Sequence, residues 1–481
     1  MDYVIIGNGI ISLSTAFRLL QRLPDNDSIT LIGPSARPGS ATLAAAAMLN
    51  SFGEIDAYSL QSEPDQYLFE LSHRATRMWP EFEGELIQAA AEQLPSACGQ
   101  CEVTQGGCFG QGTYLINNAC ADELDDRNFD AIVNALRDFN EPFDWVNPRD
   151  IPNYHPAQHQ RATRAILIHN EGWINPRIEV EKLDRILLSH PQVTYIDQRV
   201  TRLNRSQTRI ESVTLNDGQV IDGDKFLLAN GASVNALLVQ SDLDLNVQPV
   251  FYGIGISLEI QSPLHPHKNC IRTPNRGGAC GIYSVPYFQG PGSENDHVLI
   301  GASNVLRPQP THHGRLISIE HLMRSAVEEI NGHFYNAELL NINVGWRPST
   351  QDTYPILGKT SLDNFYIASG TKRNGFHLSP VLSEILVDLL MDEDIDPRFH
   401  QFAPERKVIH DLSREDAVEI IVSSLMSEQY QHNYRPSNIR MNEQVRQTYQ
   451  DDIERLHDKV GAKDWGIPAE LVNMYRYGHA Q

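Results

Sequence analysis

The chain has 481 residues, room for two or three domains with a sizeable core, and its 61 acidic against 39 basic side chains leave a net charge of -22. That sign argues against binding a phosphate backbone or docking on an anionic membrane, and points to a small-molecule partner. No apolar run approaches the ~20 residues of a membrane span, and the first strand starts directly after Met1, leaving no room for a signal or transit peptide, so the expected location is the cytoplasm.

The first predicted element is a short buried strand, Tyr3 to Ile6, in the stretch DYVIIGNGIISLSTAFRLL. A tight turn at Gly7, Gly9 and Ser12 follows, then a helix with Leu13, Ala16, Phe17 and Leu20 on one face. Gly7 permits the sharp turn, Gly9 removes a Cβ so that phosphate oxygens reach backbone N–H groups, and the helix offers its positive end. Such a unit suits a pyrophosphate but does not separate FAD from NAD. Ser12 replaces the more usual third glycine and still lets helix and strand pack closely. Roughly 20 residues later, where the strand SITLIGP should end in an acid for the ribose hydroxyls, Gly33 stands instead. The expectation is that backbone groups from Gly33 to Ser35, or the Ser35 hydroxyl, replace that acid.

Next, RPGSATLAAAAMLNSFGEID reads as a small-residue loop and short helix where bare backbone lies along an extended cofactor, and residues 60–95 read as helix. The six cysteines suggest no disulfide framework. Cys98, Cys101 and Cys108 lack a fourth ligand at familiar spacing and read as ordinary thiols, so no metal is expected. Pro176 marks a helix start, and β-alternation surrounds the turn Asn216-Asp217-Gly218 before a buried strand, Phe226 to Ala229, that runs into Gly231. Residues 236–305 are β-rich. Strands in the middle, flanked by nucleotide-type units, predict a discontinuous α/β fold in which one domain holds a cofactor and another roofs it with a sheet. At the end, Ser413 and Asp416 form a capping-box-like start. Two helical stripes follow, Ala417, Val418, Ile421, Val422 and Leu425, then Val445, Tyr449, Ile453, Leu456 and Val460 before Gly461. This helical appendage is expected to pack on its parent domain, with a dimer contact or an active-site cover as alternatives.

The segment GWRPSTQDTYPILGKTSLDNFYIASGTKRNGFHLSPVLSEILVDLL decides the class. It carries Gly345, Arg347, Pro348, Asp352, Pro355 and Gly358 in order, then a strand from Tyr366 to Ala368, Gly370, and Arg373-Asn374-Gly375 before a helix. Together with the N-terminal turn and FLLANGA, it resembles the FAD-dependent D-amino-acid oxidase superfamily, most closely its glycine oxidase and D-amino-acid dehydrogenase branch. The resemblance covers roughly residues 1 to 405. It implies a Rossmann-like FAD-binding domain in three parts (1–95, 166–235 and 341–406), a β-rich, glycine oxidase-like substrate domain in two (96–165 and 236–340), and the helical C-terminal appendage at 407–481.

The activity so implied is hydride transfer from Cα of an amino acid or N-alkyl amino acid to flavin N5, leaving an imine that water hydrolyses. By resemblance, Arg347 grips the carboxylate and Arg373 lies nearby at the flavin, while Tyr252 and Tyr283 fall in sheet segments that carry substrate-contacting aromatics. Tyr252 stands where relatives have a basic residue. The implied FAD contacts are Gly7, Gly9, Ile10, Ile11 and Ser12 at the pyrophosphate, Gly33 and Ser35 at the ribose, and Ala46 and Met48 in the small-residue loop. Val200 and Gly231 close the adenine end. Arg373, Asn374, Gly375, Phe376, His377 and Leu378 flank the flavin, where a helix N-terminus stabilises negative charge on reduction. His377 is not expected to act as a base. No cysteine lies in the 345–358 block, so FAD is expected to be non-covalent; HVLIGAS lacks a lysine like the one sarcosine oxidases use on oxygen, so dioxygen or another acceptor remains open. Three other readings stand beside this one: the same fold acting on a secondary amine or specialised biosynthetic intermediate, a non-catalytic flavoprotein, and a nicotinamide dehydrogenase sharing the first motif. A homo-oligomer through the C-terminal helices is the further partner expectation.

Overall fold

The computed structural model describes residues 1–93, 109–118, 122–264, 267–277, 279–287, 296–432 and 434–480. Alternation at the N-terminus builds a central strand with two buried faces. Asp2–Ile6 pairs in parallel with Lys225–Leu228 on one side and Ser28–Ile32 on the other, with Val4 opposite Phe226 and Thr30. Tyr3 and Ile5 enter one core and Val4 and Ile6 the other, the period of two that a doubly covered sheet requires. The six-stranded sheet runs Ile356–Lys359, Phe365–Ser369, Lys225–Leu228, Asp2–Ile6, Ser28–Ile32, Val193–Ile196. Helices Ile10–Leu20, Glu63–Gln93, Pro176–Ser189 and Ser379–Leu390 contribute to the core on one face. A three-stranded meander, Val200–Ser206, Arg209–Leu215 and Val220–Asp222, and the helix Val234–Gln240 contribute to the other.

A ten-stranded sheet forms the second unit. Its long strand Val250–Gln261 pairs antiparallel with Glu338–Thr350, in a register that sets Gly253 opposite Arg347. The expected domain limits shift against this sheet. Strand Ala162–Ile174 crosses the 165/166 limit and Glu338–Thr350 crosses 340/341, each lying in the large sheet, because a hydrogen-bonded ladder continues through both points. Met48–Leu49 also joins this sheet, beside Trp173 and Gly172. The small-residue loop holds turns and the 3-10 helix Phe52–Glu54 rather than an α-helix.

The appendage comprises helices Arg414–Gln431, Ile439–Val460 and Val472–Arg476 with the 3-10 turn Ala469–Leu471. The Ser413 side chain accepts from the Asp416 N–H at 3.1 Å, and Gly461 ends the second helix at φ 77°, a left-handed conformation suited to glycine. Val418, Ile421, Val422, Ile453 and Leu456 pack with Leu471, Val472, Phe251 and Leu306, with Leu425, Tyr449 and Val460 partly buried beside them, so most of both stripes packs against the chain's own ten-stranded sheet. Among the described residues no helix is long and apolar enough to cross a membrane and no side-chain cluster is arranged for a metal ion. Cys98, Cys101 and Cys108 lie outside the described residues; Cys270 and Cys280 are buried free thiols.

Candidate active site

A cleft of about 530 Å3 runs between the two sheets, from Gly7, Gly9, Gly33 and Val200 to Tyr252, Tyr283, Arg347 and the 371–377 turn. At the first end, Gly7 has φ 118°, and a Cβ there would lie 2.3 Å from the Ala229 carbonyl oxygen. Gly9 has no side chain to cap the helix Ile10–Leu20, and Thr42 Oγ1 accepts from the Ile10 N–H at 3.1 Å; the positive end of the helix faces the cleft at Gly9 and Ile11. Ile10, Ile11, Ala46, Met48 and Gly231 also line the cleft. Ser12 does not: it is fully buried, and its hydroxyl donates to the Ala229 carbonyl at 3.2 Å, holding helix to strand.

The structure explains Gly33. A side chain at this position would collide with Asn8, whose Cγ lies 2.6 Å from where a Cβ would sit. Asn8 donates from Nδ2 to the Pro34 carbonyl at 2.9 Å, and Tyr195 donates to the Gly33 carbonyl at 2.7 Å. Asn8 therefore takes the space an acid would need. Ser35, expected at the ribose, is outside the cleft lining; its N–H and hydroxyl both donate to Asp197, each at 2.7 Å. Gly33, Pro34 and Arg37 line this stretch instead, with Arg37 donating to the Asn8 carbonyl at 2.9 Å and pairing with Asp184 at 2.6 Å.

At the other end, Arg347 projects over Gly255, where a Cβ would fall 2.4 Å from the guanidinium carbon. Its Nη1 donates to the Ser303 carbonyl at 2.8 Å and approaches Asn304 Oδ1 at 3.4 Å. Among the described residues no carboxylate forms an ion pair with it. Arg373 differs: its Nε lies 3.1 Å from Glu54, which also pairs with Arg272 at 2.8 Å. Burial opposes the charged form of Glu54, but the Arg373 and Arg272 guanidiniums outweigh it and hold the carboxyl below its ordinary range. Behind this trio, burial pushes Glu171 up to about 7 despite N–H bonds from Gly53 and Phe52.

Tyr252 and Tyr283 are buried in the cleft wall, Tyr252 edge-on to Trp346 with ring centroids 5.8 Å apart. Asn374, Gly375, Phe376 and His377 line the cleft, whereas Leu378 turns into the core as the N-cap position of helix Ser379–Leu390, which has no side-chain cap. His377 is buried, with Nε2 at 2.8 Å from the Thr76 hydroxyl and Nδ1 at 3.4 Å from Ser72. Burial lowers it to about 4, so near pH 7 it is neutral and holds the turn to helix Glu63–Gln93. Asp352 of the 345–358 block is a structural group: it ion-pairs with Arg406 and accepts from Gln248 at 3.0 Å. Residues missed in the sequence are Glu54, Lys372, Cys280 and Asn50, all lining the cleft. Asn50 is telling, because its amide nitrogen and oxygen are both buried without a partner among the described residues.

The family model for FAD dependent oxidoreductases (DAO) matches residues 2–389. The chain belongs to this family. Along 413 residues it is 24% identical to the bifunctional protein ThiO/ThiG of Trichormus variabilis, over 83% of this chain and 54% of that protein, so it spans about half the length of that relative. It is 23% identical to the glycine oxidase of Bacillus licheniformis over 84% of this chain and 97% of that one. The crystal structure of glycine oxidase from Geobacillus kaustophilus superposes with a TM-score of 0.67 at 20% identity, covering 85% of this chain and 99% of that chain. The fold is therefore the D-amino-acid oxidase fold, near its glycine oxidase branch, extended by the C-terminal helices. The residues present fit FAD: two glycines at a helix N-terminus that faces the cleft, a long cleft between sheets and the Asn50 amide within it, buried without a partner among the described residues.

Proposed function

We propose that this flavoenzyme oxidises the Cα–N bond of a small amino acid or N-alkyl amino acid to an imine. The observation that carries this reading is Arg347, a cleft-lining guanidinium bonded to neutral acceptors. It is matched in type and charge to a substrate carboxylate. Bound FAD supplies the hydride acceptor. Arg347 fixes the carboxylate, and the Tyr252 and Tyr283 walls exclude water and orient Cα. His377, neutral and engaged by Thr76, removes no proton; substrate enters as the neutral amine. Non-covalent FAD is part of the reading, since no cysteine stands in the 345–358 block.

The names of the glycine oxidase relatives support amino-acid chemistry. The test is anaerobic mixing of the FAD-loaded protein with glycine, sarcosine, D-amino acids, L-amino acids and simple amines. Bleaching by amino acids but not by amines lacking a carboxylate, lost in a yellow Arg347→Ala variant, supports the proposal. Bleaching by simple amines that is untouched in that variant overturns it.

A further inference from the structure

The appendage lies beyond residue 389, where the family match ends, yet it reaches the substrate end of the cleft. Glu470, on the 3-10 turn Ala469–Leu471, places its carboxylate 2.8 Å from Lys372 Nζ. It also accepts from Asn304 Nδ2 at 3.1 Å, and the Oδ1 of the same amide lies 3.4 Å from Arg347 Nη1. Leu471 and Val472, next to it in sequence, are buried against Phe251 and Leu306, so the position of Glu470 is set by packing. Lys372 lines the cleft and sits at φ 49°, in the left-handed region, its N–H donating to the Pro348 carbonyl at 2.9 Å.

Three cations therefore surround this end of the cleft. Arg373 is paired with Glu54, Lys372 with Glu470, and Arg347 only with neutral acceptors among the described residues. Without Glu470, the cleft would present a second unneutralised cation beside Arg347. We propose that Glu470 is a specificity-determining positioning residue that neutralises Lys372 and so confines the site to substrates with one carboxylate. The inference rests on Arg347 as the carboxylate clamp. Burial works against the Glu470 charge, but Lys372 and Arg373 outweigh it and hold the carboxyl down to about 2, so Glu470 is a carboxylate near neutral pH.

Glu470→Gln isolates the charge, because the amide oxygen still accepts from Asn304. The full-length, FAD-loaded protein is titrated with glycolate and with malonate, unreactive mono- and dicarboxylates, following the flavin difference spectrum. Wild type is expected to bind malonate at least about tenfold more weakly than glycolate. In E470Q, malonate affinity rises about tenfold while glycolate changes less than about threefold; adding Lys372→Met in the same chain returns malonate to its wild-type weakness. A malonate-to-glycolate ratio unmoved in yellow E470Q overturns the proposal, as does a gain that survives Lys372→Met. If E470Q alone fails to fold, the neutral pair K372M/E470Q still decides: a ratio within about threefold of wild type supports the proposal, and a raised ratio overturns it. Glycolate binding that persists in Arg347→Met would instead overturn the clamp itself, which keeps the two failures apart.

Discussion

Arg373 meets Glu54 at 3.1 Å, and this pair ties the 371–377 turn to the 3-10 helix Phe52–Glu54 across the cleft. Glu54 serves two guanidiniums, the buried Arg272 and the half-buried Arg373, whereas each guanidinium ion-pairs with this one carboxylate. Glu54→Gln is therefore expected to destabilise more than Arg373→Met, by about 3 kcal/mol against about 1, since the first deprives both Arg272 and Arg373 of the carboxylate they share. Denaturant melts of the apoproteins check the order.

Arg347→Lys keeps the charge but not the planar fork. A loss of about tenfold in kcat/KM for the best amino acid, chiefly in KM, is expected; Arg347→Ala is expected to lose about a hundredfold or more. Equal effects of the two substitutions would mean that the planar fork, and not the charge alone, carries the interaction.

The two glycines of the first turn have separable roles. A Cβ at Gly7 meets the Ala229 carbonyl at 2.3 Å on a left-handed backbone, so Gly7→Ala should destabilise the apoprotein itself. At Gly9 the nearest atom is Thr42 Oγ1 at 3.4 Å, an ordinary contact. Gly9→Ala should leave the apoprotein melt unchanged and weaken FAD about tenfold or more, measured by flavin fluorescence titration.

Glu171 gives the fold a pH dependence. Its folded pKa of about 7 lies above the unfolded carboxyl value, so the folded state binds more protons between the two, and its contribution declines as pH rises from about 4.5 through 7. The loss across that window is up to about 3 kcal/mol. Glu171→Gln should flatten this part of the stability profile, read from melts at several pH values.

The first strand, the helix after it, the 345–375 block and the capped appendage helices were legible because each is specified locally, by period, glycine or cap. Two of the three cations at the Arg347 end of the cleft were legible too, since Arg347 and Arg373 lie in one ordered block, whereas Lys372 was not singled out. Their partners were not. Glu54 follows a small-residue loop and Glu470 sits 97 residues beyond Arg373 in sequence order, and only tertiary packing brings either carboxylate to an arginine or lysine. The absent acid at Gly33 was visible, but its cause, the Asn8 side chain filling that space, is a through-space fact. Strands Ala162–Ile174 and Glu338–Thr350 run across the limits expected at residues 165 and 340, because the hydrogen-bonded ladder that continues them is set by through-space pairing.

Trp79 lies face to face with Phe376, ring centroids 5.4 Å apart and planes within 2°, and its indole N–H donates to the His377 carbonyl at 2.8 Å. One of the five tryptophans is thus fixed against the 371–377 turn that lines the cleft, and Trp346 lines the cleft itself. The protein carries its own optical probe: energy transfer from these indoles to a bound isoalloxazine would quench their emission, letting cofactor loading be followed without any label.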